Sequence, residues 1–82
     1  MNLIKVDSSM IYAIGYDEQA QILEVVFKRT GVYRYRNVPK DVYEGLIAAG
    51  SKGSYMRDMI IDMYPAEQEP IFWPTGTRYG GL

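Results

Sequence analysis

Two rings and two guanidiniums alternate at Tyr33-Arg34-Tyr35-Arg36. On a strand successive side chains point to opposite faces, so the tyrosines share one face and the arginines the other. A flat ligand could meet the rings, or a phosphate the guanidiniums, but no single face offers both. If Tyr33 and Tyr35 are exposed they form a base-stacking platform, each stack worth about 1–3 kcal/mol. If buried, they supply the aromatic area that a small core needs. The second candidate is Gly50-Ser51-Lys52-Gly53-Ser54. At a helix start the free N–H groups and the positive end of the dipole point outwards, and Lys52 with the hydroxyls of Ser51 and Ser54 completes a phosphate cradle. The segment lacks the earlier glycine and the preceding strand of a Walker A loop. It serves equally well as a helix-helix turn in which Gly50 ends one helix and Ser51 caps the next.

Lys40 extends the cationic series, so that Lys28, Arg29, Arg34, Arg36 and Lys40 crowd one segment. Acids flank it, at Asp17, Glu18 and Glu24 and again at Asp58, Asp62, Glu67 and Glu69. A formal net charge of -1 argues against a broad electrostatic footprint for DNA and for a local basic patch. Neither histidine nor cysteine occurs. That removes the usual general base, the thiol nucleophile and the commonest metal ligands, along with any disulfide framework. Asp58 and Asp62 share a helix face, but two carboxylates without a third ligand read as a solvated surface. No enzyme, metal or cofactor is therefore expected.

These residues need elements to hold them. At 82 residues the chain has material for one core. Met10 to Tyr16 is apolar and rich in β-formers, and Gln21 to Lys28 alternates Leu23, Val25 and Phe27 against Ile22, Glu24 and Val26. After a turn at Arg29-Thr30-Gly31, residues 32–38 make a third strand. Pro39 suits a first helical position, and Val42, Tyr43, Leu46, Ile47 and Ala49 give that helix an apolar side. A second helix follows Ser51, with Tyr55, Met56, Met59, Ile60, Met63 and Tyr64 as its buried stripe, and Pro65 closes it. The expected fold class is α+β, a three-stranded antiparallel meander followed by two helices. Residues 1–64 form the domain and residues 65–82 an extended Pro/Gly/aromatic tail. Ile22 and Val26 leave aliphatic surface on the face opposite Leu23, Val25 and Phe27, for the tail or a second copy of the chain to cover.

With the elements placed, Ser8-Ser9, Ile14-Gly15-Tyr16-Asp17, Leu23-Glu24-Val25-Val26-Phe27, Gly31 with Tyr33-Arg34-Tyr35, Val38-Pro39 and Ala49-Gly50-Ser51-Lys52-Gly53-Ser54-Tyr55 stand in an order that resembles the KTSC domain. That module is found alone in bacterial and phage proteins and at the C-terminus of some lysyl-tRNA synthetases. The resemblance runs from Ser8 to Tyr64 and implies nucleic-acid binding as a direction.

The expected function is a non-enzymatic binding module for a phosphate-bearing ligand, most simply RNA. Arg34, Arg36, Lys40 and the Ser51-Lys52-Gly53-Ser54 helix start would hold it, with Tyr33 or Tyr35 stacking. Two alternatives remain open. One is an oligomeric phage-type protein that sequesters a small nucleotide, closing Trp73, Arg78 and Tyr79 of one tail over a neighbour's arginines. The other is a protein-binding adaptor. A homo-oligomer would form through the tail or the open sheet face. No apolar run approaches the roughly 20 residues of a membrane span, and the opening residues lack a signal peptide's apolar stretch, so a cytoplasmic protein is expected.

Overall fold

The computed structural model describes residues 3–69. The fold is α+β, and among the described residues its antiparallel sheet has five strands rather than three. They are β1 (Leu3–Lys5), β2 (Ile11–Asp17), β3 (Ile22–Phe27), β4 (Gly31–Tyr35) and β5 (Ala66–Glu69), lying side by side in chain order. Between β4 and β5 come α1 (Lys40–Ala48) and α2 (Lys52–Tyr55), the latter running on as a π-helical turn at Met56–Ile60. The two added strands have a common reason for escaping a pattern reading. β1 has three residues, too few to alternate, and Ala66-Glu67-Gln68-Glu69 contains no strong β-former. Pairing with β4 decides the conformation of β5, aided by Arg36 N–H donating to the Pro65 carbonyl at 2.9 Å.

The helices cover the face that carries Leu23, Val25 and Phe27. These join Ile11, Ile14, Tyr35, Val38, Leu46, Met56 and Ile60 in one buried cluster. Strand β2 reaches it through a bulge: Ile11 opposes Phe27 and Ala13 opposes Val26, leaving Tyr12 as the extra residue. The bulge lets Ile11 and Ile14, three apart, face the same core, while Tyr12 packs with Ala13 on the far side. The β3–β4 turn ends at Gly31, whose φ of 99° lies in the left-handed region.

Pro39 precedes α1 with φ -65° and ψ 155°, and its carbonyl accepts from the N–H groups of Val42 and Tyr43. Tyr43 stacks on Tyr16 with ring centroids 4.5 Å apart, and Tyr16 donates its hydroxyl to the Val38 carbonyl at 2.6 Å, tying α1 to β2. Helices α1 and α2 meet where Gly45 faces the phenol of Tyr55, which donates to the Val42 carbonyl at 2.9 Å.

The second helix departs from its expected stripe. Met56 and Ile60 are fully buried and Tyr55 and Tyr64 half-buried, but Met59 and Met63 are exposed. The π-turn is the cause. Ile61 N–H reaches five residues back to the Met56 carbonyl at 2.7 Å, which breaks the α periodicity, and the extended backbone of Ile61 itself, at φ -63° and ψ 130°, ends the helix before Met63.

Candidate ligand groove

The corner of the sheet that the helices leave free holds a half-open groove of about 610 Å³. Its floor is aromatic, made by Phe27 at the end of β3 and by Tyr33 and Tyr35 on β4. The Tyr33 ring meets Phe27 edge-on at 5.5 Å and lies nearly parallel to Tyr35 at 6.4 Å. Met10 and Ile61 form the walls, the first from the segment before β2 and the second from the end of the π-turn. Ser9, Arg29 and Thr30 supply the polar lining. The π-turn therefore has a local consequence, because it sets Ile61 against the β3–β4 hairpin.

Tyr33 and Tyr35 share one face, as the strand period requires, but differ in exposure. Tyr35 is 4% exposed and belongs to the core. Burial, with lesser contributions from Tyr33 and Asp62, pushes its hydroxyl up to about 12. Tyr33 is half-buried with part of its ring in the groove. One of the two rings is thus open to a ligand.

Arg34 and Arg36 lie on the opposite face of the sheet, and carboxylates already hold them. Arg34 sits between Glu69 at 2.8 Å and Glu24 at 3.2 Å, and Arg36 pairs with Glu67. Both Glu67 and Glu69 come from β5, opposite Arg34 and Val32 in register. Lys40 is paired with Glu18 at 3.2 Å, and that hydrogen bond raises its pKa. None of these three cations reaches the groove.

The Ser51-Lys52-Gly53-Ser54 segment turns inward on itself. Ser51 Oγ accepts from the Ser54 N–H at 3.4 Å and donates to Ser54 Oγ at 3.0 Å, and Lys52 Nζ donates to the Ala49 carbonyl at 3.0 Å. Gly53 lies against Met10, whose sulfur a Cβ there would approach to 3.2 Å. These contacts are those of a cap and a helix-helix turn. Trp73, Arg78 and Tyr79 lie outside the described residues.

Sequence reasoning had placed Lys28 and Arg29 in the basic segment without assigning them to a site. Neither forms an ion pair with any described residue, in contrast to Arg34, Arg36 and Lys40. Their place in the turn before a required glycine was the available signal. Ser9, Met10, Thr30 and Ile61 carried none, since three separate segments bring them together. Among the described residues no three carboxylates converge as a metal site would need, and no helix is long and apolar enough to cross a membrane.

Residues 7–64, which include the bulged strand, the hairpin and the helix pair, match the KTSC domain profile. The chain belongs to the KTSC domain family. A crystal structure of a KTSC domain protein from Yersinia pestis superposes with a TM-score of 0.82 at 31% identity, covering 83% of this chain and 96% of that one. An uncharacterised protein of Stutzerimonas stutzeri is 37% identical over 59 residues, which is 72% of this chain and 83% of the relative. A lysine-tRNA ligase of Nostoc punctiforme is 35% identical over 66 residues, 80% of this chain but 12% of the ligase. The KTSC match ends before β5, so the strand that engages Arg34 and Arg36 lies beyond the matched residues.

Proposed function

We propose that this KTSC domain is a non-enzymatic binding module whose ligand is single-stranded RNA, with one base entering the groove against Tyr33 and an adjacent phosphate meeting Arg29. The observation that carries this reading is the groove's composition: an aromatic floor beside a guanidinium that no described carboxylate neutralises. Base stacking on a tyrosine tolerates any base, and the cation supplies the backbone term. The lysine-tRNA ligase relative, a protein that acts on RNA by its name, supports the same choice of ligand. The reading moves the anion contact from Arg34, Arg36 and the helix start to the β3–β4 hairpin, because the former groups are engaged within the fold.

Fluorescence anisotropy with a labelled single-stranded oligoribonucleotide tests it across a salt series. Tyr33→Ala is expected to lose about 1–3 kcal/mol of binding, the worth of one stack. Arg29→Ala is expected to lower the slope of log affinity against log salt by about 1. Affinity that is independent of salt, or unaffected by both substitutions, would refute the proposal. Tight binding of a mononucleotide in place of the oligonucleotide would favour a nucleotide-sequestering protein.

A further inference from the structure

The tyrosines of the fold differ in what their hydroxyls do. Those of Tyr16 and Tyr55 donate to the Val38 and Val42 carbonyls, at 2.6 and 2.9 Å. Tyr35 is more deeply buried than either, at 4% exposure, yet its hydroxyl has no hydrogen-bond partner among the described residues. Nor is its oxygen sealed in. Arg34 Nε is the one side-chain polar atom of the described residues that is shut away from solvent without a partner. The Tyr35 hydroxyl therefore meets solvent, and the opening that Tyr35 lines is the groove. A buried phenol normally finds its partner within the fold, because an unmade hydrogen bond in dry surroundings is costly. Here the groove is where that partner has to come from.

The arrangement leaves a donor at one side of the aromatic floor. Burial, with Tyr33 and Asp62 close by, holds the proton on the Tyr35 oxygen to well above neutral pH. The Tyr35 ring lies 6.4 Å from that of Tyr33 and within 23° of parallel to it. A base stacked on the half-buried Tyr33 ring thus carries its edge toward Tyr35, whose own ring is closed to stacking. We propose that the Tyr35 hydroxyl selects the base in the groove by donating to a carbonyl oxygen on the base edge, so that uracil is preferred to adenine. The inference rests on the RNA reading and deepens it. A phenol oxygen shares its lone pair with the ring and accepts poorly, so its best complement is an acceptor. Uracil offers two carbonyl oxygens, and adenine none. Adenine's N1 and N7 stand beside its amino group, whose hydrogens meet the donating phenol unfavourably. The hydroxyls of Ser9 and Thr30, on the polar side of the groove, turn to suit a donor or an acceptor alike and so do not select.

Fluorescence anisotropy with labelled oligo(U) and oligo(A) of equal length, on the parent protein and on Tyr35→Phe, tests the assignment. The parent is expected to bind oligo(U) more tightly, and Tyr35→Phe to narrow the ratio of the two affinities by about 3–10-fold, the worth of one hydrogen bond. Self-stacking of oligo(A) is the same against both proteins and cancels in that comparison. Urea denaturation at neutral pH is expected to place Tyr35→Phe at the parent's midpoint or above it, since the fold loses no hydrogen bond with the hydroxyl. The assignment is overturned if the ratio is unchanged in Tyr35→Phe while Tyr33→Ala weakens binding, an outcome that leaves the RNA reading standing. It is overturned equally if Ser9→Ala or Thr30→Val removes the preference in its place. A lower urea midpoint for Tyr35→Phe would also sink it, by showing that the hydroxyl is already held within the fold. If the parent binds neither oligonucleotide, the RNA reading fails and the assignment fails with it.

Discussion

Replacing Gly45 with alanine pits local propensity against packing. In an isolated helix the change is favourable by about 1 kcal/mol, because glycine is a poor helix former. Here a Cβ at position 45 would overlap the Tyr55 hydroxyl and stand 2.8 Å from its Cζ. The phenol cannot turn aside freely, since it also donates to the Val42 carbonyl at 2.9 Å. Forcing α1 and α2 apart costs about 1–3 kcal/mol, as overpacking generally does. Breaking the phenol's hydrogen bond adds about 1 kcal/mol. Set against the propensity gain, the net is a destabilisation of about 1–3 kcal/mol, read by urea denaturation followed by circular dichroism. For a domain of this size it corresponds to a fall in Tm of roughly 4–8 °C per kcal/mol. The Tyr55→Phe background separates the causes. There the hydroxyl is gone while Cζ remains, so Gly45→Ala should cost less than in the parent, and the difference is the coupling energy. A Gly45→Ala protein as stable as the parent, or more so, would show that the helices separate without cost.

Two further outcomes follow from side chains that are already engaged. The Tyr35 hydroxyl, pushed up to about 12 by burial, favours its neutral form in the folded state. Its contribution is therefore complete below the ordinary value near 10 and is lost as pH rises from there through 12, so a stability titration should show a decline in that alkaline window that Tyr35→Phe lacks. Arg34→Ala removes the cation shared by Glu24 and Glu69, and with Glu24 17% exposed the loss should be about 1–2 kcal/mol, read by thermal denaturation. RNA affinity should stay the same, and a large fall in affinity at full stability would return the ligand site to this arginine.

The parts of the fold that the sequence made legible are those in which one residue's neighbours along the chain settle its place. Alternation at Leu23, Val25 and Phe27 marked the central strand, and Pro39 and Gly50 bracketed the first helix. The parts it hid depend on distant residues. Ala66–Glu69 has little intrinsic preference for a strand and becomes one through β4, and the π-turn at Met56–Ile60 changes which methionines are buried without changing their spacing. The same division holds for the candidate site. That the tyrosines and arginines take opposite faces followed from strand period alone. That Glu67 and Glu69 occupy the arginines depended on β5, which no local pattern carried, and the turn at Arg29 was legible while its nearness to the open ring was not.

The closing strand has a consequence for the order in which the molecule assembles. Pairing of β2 with β3 and of β3 with β4 closes loops of a few residues, but pairing of β4 with β5 must close over residues 36–65, which contain both helices. Loop-closure entropy rises with the length enclosed, and the penalty shrinks once the helices have packed and drawn Pro65 toward Arg36. Strand β5, a four-residue edge with no buried residue, thus adds after the hairpin and the helix pair are in place. Since it also carries the carboxylates that neutralise Arg34 and Arg36, the sheet face opposite the groove changes its charge at the last step of folding, and amide exchange along β4 would record that step separately from the core.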